Sequence, residues 1–230
     1  MAYIVAHHEN TRKRVFVFYE NTYLYYLLEK AFVYGTIYLV ILLVILGCKY
    51  MDSKSVIKKL KEGNAKYICA KYNDGDISAK VRKETAENGQ RPYAVVITCS
   101  DSRVIPEDIF MTGIGELFVI RVAGNVVDDI ALGSIEYAVE HLRVNTVLVL
   151  GHTHCGAVNA AVCGGAKGYT SVITDKIRQA IGCEKDDRKA SILNIRNTVS
   201  CIRAALQKSE AQIYGAIYDI ESGKVDFEIL

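Results

Sequence analysis

The chain has 230 residues, of which half are hydrophobic and 23% charged, with two prolines and a net charge of +2. Those values exclude a disordered, collagenous or linker-dominated chain and leave room for a sizeable buried core. Five of the 28 basic and three of the 26 acidic residues fall in residues 1–50, so residues 51–230 carry 23 of each sign. A body so balanced advertises neither a nucleic-acid groove nor a polybasic membrane patch. Seven cysteines are too sparse for a disulfide framework.

Residues 1–50 differ in kind from the rest. They hold eight of the 15 tyrosines, a basic cluster at Arg12, Lys13 and Arg14, and an uncharged run over 31–48. As a helix that run spans roughly 27 Å, just short of a bilayer's hydrocarbon core. Three readings fit it. One is a short membrane-anchoring helix that makes the protein membrane-associated. Another is an export signal, with Ile45-Leu46-Gly47-Cys48 as a lipobox and Cys48 as the lipid attachment point. The third is an over-extended reading frame, with translation starting at Met51 and a cytoplasmic product. The expected organisation is therefore a hydrophobic extension over 1–50 and a functional domain over 51–230.

From Met51 onward the pattern is that of an α/β domain. Ser53 is placed to cap a helix over 53–72, and a second helix is expected over 77–88. Residues 93–98, 117–120 and 146–150 are continuous apolar runs of strand length, the signature of parallel strands buried on both faces. A helix over 130–142 separates the last two, and a long one is expected over 188–209. Residues 213–220 and 225–229, joined by Glu221-Ser222-Gly223-Lys224, read as an edge hairpin. The fold class is a mainly parallel sheet flanked by helices.

Two polar clusters follow two of these strands. The first runs into Cys99-Ser100-Asp101-Ser102-Arg103, the third into Gly151-His152-Thr153-His154-Cys155. Ligands of open parallel sheets bind beyond the carboxyl ends of the strands, so the clusters can meet in space. Cys99, His152 and Cys155 then supply two thiolates and an imidazole, the three-ligand set of a catalytic zinc site with one open position. If residues 99–103 are extended, positions 99, 101 and 103 share a side. Arg103 can then fork onto Asp101, keeping an ionised carboxylate aimed at the fourth zinc position. Zinc-bound water loses a proton near neutral pH, so the set suits hydroxide attack on a small electrophilic carbon.

On Cys99-x-Asp101-x-Arg103, on His152-x-x-Cys155, and on the intervening Phe118–Asn125 and Ser134–Ala138 stretches, the chain resembles the β-class carbonic anhydrases. The resemblance covers roughly residues 53–230. It implies one Zn2+ per chain on Cys99, His152 and Cys155, and Asp101 with Arg103 as the catalytic dyad. It places Gly124 and Asn125 in a turn flanking the substrate pocket. The implied reaction is reversible hydration of CO2 to bicarbonate and a proton by zinc-hydroxide attack, in a homodimer or dimer of dimers. Asp101 as a fourth zinc ligand in a resting state is also implied. A tryptophan-based regulatory bicarbonate pocket is not, because the chain has no Trp. Rival readings are hydrolysis of COS or CS2 at the same site and a non-catalytic zinc-binding scaffold. His154 reads as a solvent-facing bystander, and His141 as a partner for the last carbonyls of its helix. Cys69, Cys163, Cys183 and Cys201 read as core or surface thiols, and the glycines at 113–115 and 164–168 as turns.

Overall fold

The computed structural model describes residues 4–7, 14–17 and 51–229. The chain divides into two units, residues 1–50 and 51–230. In the first, β1 (Ile4–His7) and β2 (Arg14–Val17) pair antiparallel, with Ile4 opposite Val17 and His7 opposite Arg14. The hydrophobic helix expected over 31–48 and the lipid site at Cys48 lie outside the described residues. Among the described residues no helix is long and apolar enough to cross a membrane.

The second unit is built on one sheet. Its strands are β3 (Ala94–Thr98), β4 (Leu117–Arg121), β5 (Thr146–His152), β6 (Gln212–Tyr218) and β7 (Val225–Asp226), in the spatial order β4-β3-β5-β6-β7. Every pair is parallel except β6 with β7, which forms the expected edge hairpin, although β7 is only two residues long. The chain leaves β3 for β4 on one side and returns to β5 on the other. The β3–β5 seam is thus the point where strand order reverses and a crevice opens at the carboxyl ends.

Period-two alternation sends the strand side chains into two cores. Val95, Ile97, Val147, Val149, Ile213 and Ile217 face one way, against α4 (Asp129–Glu140) and α7 (Asp187–Ala205), through Ile135, Ala138, Ile195, Val199 and Ile202. Ala94, Val96, Leu148, Leu150, Ala216 and Tyr218 face the other. They meet Val56 and Leu60 of α1 (Ser53–Tyr67), together with Ile109 and Phe110 around the short α3 (Pro106–Ile109). Because both faces are covered, β3 and β5 are buried along their whole lengths, as their unbroken apolar runs predict.

Several boundaries differ from expectation for identifiable reasons. Asp52, not Ser53, caps α1, its carboxylate accepting from Ser55 N. The helix stops at Tyr67 because the chain tightens into i→i+3 bonds from Cys69 and Ala70, leaving Tyr72 exposed beyond the sheet. The second helix, α2 (Ala79–Asn88), starts two residues late: Asp76 accepts from Ser78 N in an Asx-turn, and Ser78 becomes the cap. Likewise α7 ends at Ala205 rather than 209. Three helices were not anticipated: the four-residue α3, α5 (Gly156–Val162) and α6 (Tyr169–Ile181). Ile173, Ile177 and Ile181 do recur at helical spacing, but α6 begins at Gly168 with no side-chain cap to announce it.

Candidate metal centre

Cys99 follows β3 directly, His152 ends β5, and Cys155 caps the start of α5, so all three meet at the crevice where strand order reverses. Thr98 ties the seam just beneath them, its hydroxyl donating to the Leu150 carbonyl at 2.7 Å. Cys99 Sγ, Cys155 Sγ and a His152 ring nitrogen lie within 4.8 Å of one another, and all three residues are buried. The two sulfurs are 3.9 Å apart, far beyond disulfide length. A tetrahedral zinc with sulfur ligands at about 2.3 Å would set them roughly 3.8 Å apart.

The imidazole is oriented for the same task. His152 Nδ1 donates to the Thr153 carbonyl at 2.8 Å, which fixes the tautomer and leaves the Nε2 lone pair free. That buried Nε2 has no hydrogen-bond partner among the described residues. An orphaned acceptor beside two thiols is costly unless a cation takes it. Without a metal the sulfurs share a proton. Cys99 is the thiolate, held well below the usual cysteine value chiefly by the Cys155 S–H and also by the Gly124 N–H, against burial. Cys155 keeps the proton and is pushed up by that bond and by burial. A soft, buried set of this composition fits zinc.

Residues 101–104 form a turn, closed by Val104 N on the Asp101 carbonyl, rather than the expected extended segment. The turn nonetheless delivers the dyad. Arg103 donates from Nε to Asp101 Oδ1 at 2.9 Å and from Nη2 to Oδ2 at 2.7 Å, and its backbone N–H adds a third bond to Oδ1. The Arg103 side chain holds the Asp101 carboxyl far below the carboxylate range, overcoming partial burial, with help from the Arg103 N–H. Asp101 Oδ2 lies 4.0 Å from His152 Nε2, at the edge of the cysteine–histidine set.

Gly124 and Asn125 sit in a 3₁₀ turn beside the cysteines, at φ +69° and +47°. The Gly124 N–H points at Cys99 Sγ, 3.2 Å away. An apolar wall of Val126, Val158, Ala161, Ile177 and Ile181 packs around the two cysteines. His154 is 67% exposed, with Nδ1 3.9 Å from Asp187 Oδ2. The His141 ring lies tilted against Tyr137, centroids 5.3 Å apart, and it is the His141 backbone N–H rather than the ring that bonds a helix-end carbonyl, that of Tyr137 at 2.9 Å. Cys69, Cys163, Cys183 and Cys201 are all exposed free thiols.

Sequence reasoning missed the residues that hold these loops. Arg121, at the end of β4, donates from Nε to the Cys99 carbonyl at 3.2 Å and from Nη2 to the Asp101 carbonyl at 2.7 Å. Its signal was available, since a charged residue closing an apolar strand lies at the same carboxyl-end rim as the motifs. Asp187 accepts from His154 N at 2.8 Å, and Asn194 and Thr198 bind the carbonyls of Gly124 and Asn125. No spacing rule points to those three, because they approach the site from a distant helix.

The family model for carbonic anhydrase matches residues 94–190, the segment that carries both motifs. Carbonic anhydrase 2 of Mycobacterium tuberculosis is 34% identical over 184 residues, covering 73% of this chain and 88% of that protein. A carbonic anhydrase of Mycolicibacterium smegmatis is 32% identical, covering 74% and 90%. Among solved structures, a β-carbonic anhydrase of Aspergillus fumigatus aligns with a TM-score of 0.58 at 28% identity, over 77% of this chain and 91% of that one. The Coccomyxa β-carbonic anhydrase aligns with the same score at 25% identity, over 76% and 83%. With both motifs, their strand-end placement and the parallel sheet shared across that length, the chain belongs to the β-class carbonic anhydrases.

Proposed function

We propose that this chain catalyses the reversible hydration of CO2 to bicarbonate and a proton, with one Zn2+ held by Cys99, His152 and Cys155. The observation that carries the reading is the buried, partnerless His152 Nε2 beside two thiols, with an arginine-forked carboxylate at its edge. Zinc bound there supplies a Lewis acid that makes hydroxide available near neutral pH.

The remaining work falls to the chain's own groups. Asp101, ionised and acceptor-only, takes a hydrogen bond from the reacting water and thereby orients its lone pair toward substrate. Arg103 holds that carboxylate in one orientation through its fork and backbone N–H, leaving one lone pair on Asp101 Oδ2 for the water. Val126, Val158 and Ile177 keep bulk water from the ligands and offer apolar surface to an uncharged linear substrate. The dyad also weighs against a zinc scaffold, since binding the metal needs neither Asp101 nor Arg103. COS and CS2 are linear too, and parallel assays with them decide between the substrates.

The test is stopped-flow CO2 hydration by the zinc-loaded full chain. Activity that Asp101→Asn reduces at least about a hundredfold, with zinc retained, supports the reading. A wild-type chain that holds one zinc and leaves CO2 unhydrated overturns it.

The same reading extends to assembly as a homo-oligomer. Helix α2 buries no residue within the chain, and Tyr72, Ile77 and Ile130 are exposed. The β-carbonic anhydrases of Sordaria macrospora, which this chain matches with a TM-score of 0.53 at 25% identity, are tetrameric. Light scattering of the purified chain at a mass near 25.5 kDa overturns the assembly; twice or four times that mass supports it.

A further inference from the structure

We propose that Asn194 and Thr198 of α7 are positioning residues for Cys99, acting through the Gly124–Asn125 turn. This rests on the zinc reading of the site. Both side chains are buried, and with Ser191 they form a polar stripe along a helix face otherwise occupied by Ile195, Val199 and Ile202. Asn194 Nδ2 donates to the Gly124 carbonyl at 2.7 Å, and Thr198 Oγ1 donates to the Asn125 carbonyl at 3.2 Å.

The turn needs such anchors. Gly124 and Asn125 are consecutive residues in the left-handed region, where no helix or strand ladder fixes the backbone. Asn125 N–H closes on the Val122 carbonyl at 2.8 Å, which holds the inner side of the turn. The two α7 bonds hold its outer side. Gly124 C=O and Asn125 N–H are the two ends of one peptide, so these bonds fix its plane, and the preceding Ala123–Gly124 peptide, joined to it at the Gly124 Cα, directs its N–H at Cys99 Sγ, 3.2 Å away. That N–H withdraws charge from the sulfur and fixes the direction of its lone pairs, the role of an outer partner to a metal-binding thiolate.

Asn194 is poorly suited to be mere filling. Its Oδ1 is buried and has no hydrogen-bond partner among the described residues, so a leucine would pack there without an orphaned atom. What leucine cannot replace is the Nδ2 bond to Gly124. Thr198 is similar, since valine matches its shape and lacks only the hydroxyl.

The experiment compares full-length wild type, Asn194→Leu, Thr198→Val and Thr198→Ser, each confirmed folded by circular dichroism. Each is loaded with Co2+ for spectroscopy and with Zn2+ for release to a chelator. Loss of the Gly124 N–H raises the energy of the sulfur donor electrons. The sulfur-to-cobalt charge-transfer band therefore shifts to longer wavelength in Asn194→Leu, and zinc release quickens about tenfold, in the range usual for outer partners of metal ligands. Thr198→Val shows a smaller change of the same sign, and Thr198→Ser restores the wild-type band. Folded Asn194→Leu and Thr198→Val proteins with wild-type band and release rate overturn the positioning role while leaving the zinc reading intact. If only Thr198→Val folds, an unchanged band in it is enough to overturn the role. A wild-type chain that takes up neither metal overturns both.

Discussion

Arg103 joins the two strand ends that form the centre: its Nη2 donates to Asp101 Oδ2 at 2.7 Å and also to the His154 carbonyl at 3.1 Å. One guanidinium thus fixes the carboxylate from the β3 loop and registers it against the β5 loop that carries His152 and Cys155. His154 presents that carbonyl because its backbone is left-handed, at φ +56°, and because Asp187 holds its N–H. The motif's arginine is a clip between loops as well as a partner for aspartate.

Arg103→Lys is accordingly not conservative. A lysine ammonium keeps the charge but cannot make the fork and reach the His154 carbonyl in one geometry. The expected result is full zinc occupancy by elemental analysis, with kcat for CO2 hydration lowered about ten- to a hundredfold. Unchanged kcat would confine Arg103 to the surface role of an ordinary exposed ion pair.

The Asp101 carboxyl has a folded-state pKa below its unfolded value, with the Arg103 side chain as the main cause. Its contribution to stability is therefore complete above the unfolded pKa of about 3.9 and disappears as pH falls through the folded value. In metal-stripped protein, the stability gap between wild type and Asp101→Asn should stay constant from about pH 8 down to about pH 5 and close only at lower pH. Urea denaturation across that range measures it. A gap already closing near pH 6 would show that another group sets it.

Metal removal should cost stability as well as activity. A cation that takes the His152 Nε2 and both sulfurs binds the folded chain in preference to the unfolded one, so free zinc at about a thousand times Kd adds about 4 kcal/mol. Thermal melts with and without a chelator should differ by several degrees in wild type and hardly at all in Cys99→Ser. Equal shifts in both proteins would place the stabilising metal somewhere else.

The sequence made the site more legible than its setting. Cys99, Asp101, Arg103, His152 and Cys155 all lie within a few residues of two apolar strands, where local spacing and the strand-end rule suffice. The Asp101–Arg103 pair forms even though the backbone is not extended, because the turn at 101–104 brings Arg103 back onto Asp101. Less was legible where long-range contacts decide. Arg121, Asp187, Asn194 and Thr198 reach the loops from elements remote in sequence, and a single chain offers no local pattern for such contacts. The two longer unforeseen helices, α5 and α6, have a related cause. α5 starts from a metal-motif residue and α6 from a glycine, so neither has a side-chain cap to mark it.

Gly124 is where backbone and packing constraints coincide. At φ +69° an added Cβ would stand 2.7 Å from Ile177 Cδ1 and 3.1 Å from Ala157 Cβ. The isoleucine tip can swing aside, whereas the Ala157 Cβ is fixed to the first turn of α5. The left-handed conformation alone disfavours alanine by about 1–2 kcal/mol, and the contact adds to it. Gly124→Ala should therefore unfold at lower urea, by about 2–3 kcal/mol in all. Adding Ile177→Val should recover at most the Ile177 part of the contact, since it removes Cδ1 and leaves both the Ala157 Cβ and φ unchanged. The turn's N–H would also shift from Cys99 Sγ, so zinc release should quicken in both variants. Full recovery of stability by Ile177→Val would show that packing, not backbone conformation, makes glycine necessary here.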